Sequence, residues 1–186
     1  MRLPLVARQA SGRGRIRNMV SIRDRPPHIE DRSNGGHWEG DLVMGRRTSA
    51  IATLVERHSR YVRLVALPAG IKAPAVRAAL VADLNQMPFW MRRSLTWDRG
   101  REMADHAALT ALTGCRVYFC DPRSPWQRGT NENTNRLLRQ YLSKTGNLAA
   151  YDQAALNAIA ARVNNRPRAV LGWHTPTEVL AAYRPI

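Results

Sequence analysis

The sequence predicts an α/β domain, a mixed five-stranded sheet flanked by helices, and three observations predict it. Between His37 and Pro68 lie three short apolar runs separated by gaps of a few polar residues. After them, helical and strand-like stretches alternate, and from Thr130 onward only helical patterns remain. Meandering strands followed by alternation give a sheet covered on both faces.

The elements follow in chain order. Residues 1–36 carry eight arginines, the Pro26-Pro27 pair and few large apolar groups, with no helical or strand period. They are read as a basic, largely extended arm ahead of a core spanning 37–186. "HWEGDLVMG" and "SAIATLVER" are nearly continuous apolar runs, which suits strands buried on both faces. In "RYVRLVALP", Val62, Leu64 and Ala66 share one face and Arg63 takes the other. "APAVRAALVADLNQM" has helical composition and is stopped by Pro88; "SLTW" is a brief strand; "EMADHAALTAL" is a helix ended by Gly114. "RVYFC" gives the fifth strand, and helices follow from about Thr130 to Tyr141 and along "YDQAALNAIAARVNN". "TPTEVLAAY" opens with Thr175 as N-cap, Pro176 in the first helical position and Glu178 at the third, a capping box.

A chain of 186 residues fits one domain, and its 44% hydrophobic content is ordinary. Its net charge of +15 is not, and with a pI near 11.4 it points to a polyanionic partner, most commonly nucleic acid. A GC-rich genome accounts for arginine over lysine, since Lys72 and Lys144 are the lysines, but not for 29 basic residues against 14 acidic ones. In that light the arm is either a plain linker or a DNA-contacting segment. Cys115 and Cys120 lack a second ligand pair for zinc and suit a reducing cytosol. No apolar run approaches the roughly 18 residues of a membrane span.

Three acids fall in suggestive places. Asp41 interrupts an otherwise apolar strand, where an unpaired carboxylate costs several kcal/mol. Asp98 leaves the end of "SLTW" just before Arg99-Gly100, a position that ordinary turn chemistry explains equally well. Glu132 sits on the polar face of its helix with Asn135, Arg136, Arg139 and Gln140, where a solvated face is an equal explanation. The 33 residues between Asp98 and Glu132 hold one helix, one strand and a loop, a path that returns to its start. Acids gathered there would repel one another unless divalent metal ions joined them. Mg²⁺ prefers carboxylate oxygens, and two such ions about 3.5–4 Å apart drive phosphoryl displacement. Glu39 and Glu56 are candidate auxiliary ligands better read as salt-bridge partners, and Asp121 is read as a turn former. Glu102 is read as a first-turn helix acid, and His37 and His106 as structural.

Together, "GHWEGDL", "LVERHSRYV", "LTWDRGREM", "DPRSPWQRGTNENTNRLLRQYL" and "NNRPRAVLGWHTPTEV" resemble the catalytic domain of bacterial insertion-sequence transposases of the insertion-sequence-thirty family. These belong to the DDE superfamily, which shares the ribonuclease-H-like, retroviral-integrase fold. The resemblance runs from about Arg13 to the C-terminus. It implies that Asp41, Asp98 and Glu132 are the catalytic, metal-binding triad, holding two Mg²⁺ ions for which Mn²⁺ can substitute. It further implies cleavage of DNA at transposon ends, joining of the freed 3′-hydroxyl to target DNA, and a homo-oligomer on DNA in the bacterial cytoplasm. Arg128, Asn135, Arg136, Arg139 and Lys144 are expected to contact DNA. Relatives carry an N-terminal helix-turn-helix region and a Pro-Lys-Gly-Thr-Asp run where this chain has "SKTGNL"; many have Asn where it has Arg99. Two alternatives stay open: a truncated, non-enzymatic DNA-binding remnant, and a structure-specific nuclease on the same fold.

Overall fold

The computed structural model describes residues 16–183. Five strands are present: β1 His37–Met44, β2 Ala50–Glu56, β3 Val62–Ala66, β4 Ser94–Trp97 and β5 Arg116–Phe119. Their order across the sheet is β3-β2-β1-β4-β5. β1 to β3 form an antiparallel meander, and β4 and β5 add in parallel beside β1. The helices are α1 Ala73–Leu84, α2 His106–Thr113, α3 Gly129–Leu138, α4 Gln153–Asn164 and α5 Pro176–Ala182. Every predicted element is present, in the predicted order.

Boundaries differ at helix ends. α1 stops at Leu84, four residues short of Pro88. α2 begins at His106 rather than near Glu102, because Arg101–Met103 forms a separate 3₁₀ turn first. Gly114 ends α2 with φ 73, a left-handed conformation in which a side chain would be strained. α5 has the capping box read from its sequence: Glu178 N donates to Thr175 Oγ, and the Glu178 carboxylate accepts from Thr175 N.

The sheet divides two apolar cores. Trp38, Leu54, Leu95 and Trp97 pack with Leu80, Leu84 and Leu109 of α1 and α2 on one face. Val43, Ile51, Val55, Val62 and Leu64 pack with Leu138, Leu156 and Val163 of α3 and α4 on the other. Each such side chain, fully buried, contributes about 1.5–3 kcal/mol relative to exposure, so the sheet is held from both sides.

Residues 16–36 of the basic arm lie against this sheet. Ile16, Ile22 and Ile29 are buried, and Ser21 makes a parallel bridge to Phe119 at the β5 edge. Arg25 is buried, donating to Thr96 Oγ1 at 2.8 Å and pairing with Glu30. These isoleucines follow no regular period, so a pattern search for helices or strands passes over them. Residues 1–15 lie outside the described residues.

Candidate active site

The centre of the sheet is where two acids meet. β1 and β4 pair in parallel through His37↔Ser94, Trp38↔Leu95 and Glu39↔Thr96. Continuing that register two residues brings Asp41 level with Asp98. Side chains alternate along a strand, so both acids share the face occupied by Glu39 and Thr96, the face under α3. The pairing stops at Glu39, and beyond it the Gly40 carbonyl accepts a hydrogen bond from Arg128 Nη1 at 3.0 Å. Gly40 itself is required by close approach: a Cβ there would lie 2.1 Å from Trp97 Cζ3.

Arg128 joins the acids. Its Nη1 is 3.1 Å from Asp41 Oδ1 and its Nη2 is 3.4 Å from Asp98 Oδ2. The sequence reading supposed acids without a basic partner at the strand tips; instead a guanidinium bridges them. Arg128 was expected to face DNA, yet it is 8% exposed and directed inward. Burial alone would lower its pKa, but Asp41 and Asp98 outweigh burial and hold it above the ordinary arginine value. Asp41 also accepts from Leu42 N at 2.9 Å and from Asn135 Nδ2 at 3.1 Å. Burial raises the Asp41 pKa, with Asp98 adding to the rise; Arg128 and the Leu42 amide oppose it without cancelling it. Asp98 is more open, and Gly100 N donates to its Oδ1 at 2.7 Å. It therefore serves a turn and faces Arg128 at once.

Glu132 stands apart from this pair. It is exposed, in the first turn of α3, where the helix dipole favours an acid. Glu132, Asn135 and Arg139 recur at intervals of three and four, one stripe of a helix, and Arg128 immediately precedes α3. Asn135 and Arg128 touch Asp41, and Arg139 donates to Met44 O at the end of β1. Neighbours three apart on a helix have Cβ atoms about 5–6 Å apart, so Glu132 lies next to Asn135, which touches Asp41. Among the described residues, no three acidic, histidine or cysteine side chains converge as a finished metal centre. Asp41 and Asp98 are brought together; Glu132 is not joined to them.

α3 is fixed over the sheet by a residue that sequence reasoning did not single out. Asn131 donates through its backbone N to Glu39 Oε2 at 3.1 Å and through Nδ2 to Glu39 O at 3.0 Å; its Oδ1 accepts from Thr53 Oγ1 at 3.1 Å. Glu39, fully buried, pairs with Arg57 at 2.8 Å, so its role is the salt bridge anticipated for it. An amide residue beside a helical acid was the available signal for Asn131. Of the other acids, Glu56 accepts from Gly36 N, Ser59 N and Ser59 Oγ, and Asp121 pairs with Arg23. Glu102 accepts from Trp97 Nε1 at 2.9 Å. His37 bonds Ser94 Oγ and His106 packs edge-on to Phe119, both structural. Both cysteines are buried and free, their thiols pushed up by burial to about 12 for Cys115 and about 11 for Cys120. Of the residues expected at DNA, Arg136 and Lys144 are exposed, while Arg128, Asn135 and Arg139 are engaged with β1.

Asp41 within β1 and Asp98 just past the end of the parallel strand β4 thus meet beneath a helix. The integrase core domain matches residues 31–125, just over half of the chain, and the chain belongs to that family. Within it, the similarity runs to insertion-sequence transposases. The chain is 54% identical over 181 residues to the transposase for insertion sequence element IS1086 from Cupriavidus metallidurans, covering 97% of this chain and 53% of that protein. It is 52% identical over 165 residues to transposase InsI for insertion sequence element IS30A from Escherichia coli K12, covering 89% of this chain and 43% of that protein. The chain thus spans about half the length of the curated relatives it matches. A chain of the simian T-cell lymphotropic virus intasome, solved with a PP2A regulatory subunit, shares the fold: TM-score 0.59 at 17% identity, over 81% of this chain and 56% of that one. No described helix is long and apolar enough to cross a membrane.

Proposed function

We propose that this chain is the catalytic core of an insertion-sequence transposase, cutting DNA at transposon ends and joining the freed 3′-hydroxyl to target DNA. The observation that carries the reading is the meeting of Asp41 and Asp98 on one positive charge beneath the helix that bears Glu132. Two carboxylates that share a guanidinium present oxygens to a common point, and their hard donors suit a divalent cation of the magnesium class. Asp41, Asp98 and Glu132 would hold two Mg²⁺ ions, with Mn²⁺ able to substitute. When bound, these supply activation of the attacking oxygen and neutralisation of the leaving one.

The protein's own groups prepare that site. Asn135 holds Asp41 Oδ2, and the Leu42 amide holds Oδ1, so the carboxylate has a fixed orientation. Arg128 competes for the same oxygens that a divalent cation would use, and keeps the two acids from repelling one another. Asn131, through Glu39 and Thr53, sets the height of α3 and with it the position of Glu132. Exposed Arg136 and Lys144 are the members of the expected DNA-contacting set that are free to reach phosphates, contacts that set register rather than sequence preference. The reading further places the protein on cytoplasmic DNA as a homo-oligomer.

The test is a nicking and strand-transfer assay with Mg²⁺ or Mn²⁺ on preformed transposon-end substrates. Asp41→Asn and Glu132→Gln should each lower product by about a thousandfold or more, equivalent to roughly 4 kcal/mol of transition-state stabilisation, with DNA binding retained. Wild-type cutting by both variants refutes the assignment. Binding by the wild type with no metal-dependent product points to a non-catalytic remnant, and cutting without joining to a nuclease.

A further inference from the structure

Among the described residues, the buried arginines Arg25, Arg57 and Arg128 are matched to acids, as is half-buried Arg63 to Asp83. Half-buried Arg32, Arg60 and Arg168 are not, and unlike Arg92, Arg93 and Arg139, which also lack an ion pair, they line one cavity. Arg32, Arg60 and Arg168 surround a space of about 480 Å³ closed by Gly129, Thr130, Asn133, Thr134 and Leu137 of α3 and by Val170. Among the described residues, none of the three has a carboxylate within ion-pair distance, and no acid lines the cavity. Arg60 Nη1 donates to Thr130 Oγ1 and Arg168 Nη2 to Val163 O, which fixes both stems. The Nε atoms of Arg60 and Arg168 are buried without a hydrogen-bond partner, as are those of Arg25, Arg57, Arg92 and Arg128, so the cavity is set apart by its missing acids and not by these atoms.

Gathering like charges in a partly dry cavity is unfavourable, and the protein registers it. Burial first, and then Arg32 and Arg57, lower the Arg60 pKa to about 10, with Glu39 and Glu56 opposing from outside the cavity lining; burial and Arg166 lower that of Arg168. Arg32 has φ 60 and Arg60 φ 62, both in the left-handed region, as have Asn18, Arg47, Arg123 and Trp173 elsewhere. His58 Nδ1 bonds the Arg32 carbonyl oxygen at 2.8 Å, which holds the Arg32 backbone in place. Three guanidinium groups gathered at one cavity without an ion-pair partner leave room there for an anion from outside the chain.

We infer that the Arg32–Arg60–Arg168 cavity is a binding site for a phosphodiester of the DNA backbone. Planar guanidinium forks match the geometry of phosphate oxygens, and the N-terminal turn of α3 adds its positive dipole end. The inference rests on the DNA-acting reading above but not on catalysis. On α3, the cavity residues 130, 133, 134 and 137 lie on the side opposite Arg128, Glu132 and Asn135. A strand seated in the cavity therefore crosses the start of α3 to reach the acids, so the site positions the strand rather than reacting with it.

The experiment measures binding of a short DNA duplex by the full chain in EDTA, so that no cleavage occurs, between about 50 and about 200 mM salt. An Arg60→Met/Arg168→Met pair should reduce affinity and flatten the slope of log K against log salt by about 0.9 per lost phosphate contact, which shrinks the salt-induced loss by about 3.5-fold. Arg116→Met/Arg162→Met, at two exposed arginines at the start of β5 and in α4, removes the same two charges and should change the slope by less. Arg60→Lys/Arg168→Lys should recover most of the slope, because lysine still presents a point charge to phosphate; a purely structural role would not be rescued. Thermal melting checks that each variant folds, and Arg168→Met alone repeats the measurement should the pair prove unstable. Unchanged affinity and slope in a folded Arg60→Met/Arg168→Met protein, or an equal change in Arg116→Met/Arg162→Met, overturns the site. Loss of nicking with unaltered binding bears on the proposed chemistry alone.

Discussion

The two sides of α3 put the same kind of residue to opposite uses. On one side Arg128 lies between two acids, satisfied by both and drawn inward by them. On the other side Arg32, Arg60 and Arg168 share a cavity with no acid in its lining. The first arrangement neutralises the protein's own charge, and the second leaves charge to be neutralised from outside. A basic protein is therefore poorly described by its sum of +15; what matters is which arginines have been matched internally. Internal matching makes an arginine part of the fold, whereas an unmatched one is an unfilled contact.

This contrast is sharpest in how each side responds to losing its arginine. Arg128→Ala leaves Asp41 and Asp98 adjacent, charged and without a common partner. Breaking a buried pair costs several kcal/mol, discounted here because Asp98 is 42% exposed, so about 2–3 kcal/mol of destabilisation is expected in urea unfolding. Arg60→Met should cost less, about 0.5–1.5 kcal/mol, since it keeps the apolar stem and breaks no ion pair but loses the hydrogen bond to Thr130 Oγ1. Equal losses from both variants would dissolve the distinction.

Gly40→Ala probes the acid side by shape rather than charge. Displacing Trp97 by overpacking should cost about 1–3 kcal/mol and disturb Asp98 immediately after it. Arg60 and its neighbours lie across α3 from this change, so the DNA salt slope of a folded Gly40→Ala protein should stay at the wild-type value.

A smaller effect comes from His37, on the first rung joining β1 to β4. Burial first, and then Arg93, His28, Arg57 and Arg25, depress its pKa from 6.5 to about 4. The unfolded chain therefore takes up a proton that the folded one refuses. The stability tied to neutral His37 is complete above pH 6.5 and is lost as pH falls toward 4. Between pH 7 and pH 5 this amounts to about 1–2 kcal/mol. His37→Gln should flatten that part of the unfolding profile, which denaturation at the two pH values measures.

The strands and helices were legible because burial imposes a period on apolar residues, and turns and caps impose residue types, as at Gly114 and Thr175. Asp41 was legible as an acid in an apolar run. What sequence could not reveal was partnership. Arg128 read as a surface cation, because nothing local indicates that a residue 87 positions after Asp41 turns inward to meet it. Asn131 lacked a signature because its three bonds reach two strands distant in sequence. The packing of Ile16, Ile22 and Ile29 escaped for the same reason, since irregular segments bury side chains without repeating. Arg32, Arg60 and Arg168 were invisible as a group: they come from the arm, a hairpin and the segment before α5.

The register of β1 against β4 has a bearing on how such a chain tolerates change. The gap between Asp41 and Asp98 is set by neighbouring backbones in a sheet, not by the 56 residues of chain that separate them. A loop lengthened after β3, or a tag inserted before α1, alters the route between the acids while their spacing stays put. Glu132 has no such ruler, since its reach depends on the tilt and height of a helix. Variation in this architecture should accordingly be cheap along the path joining the first two acids, and expensive wherever it tips α3.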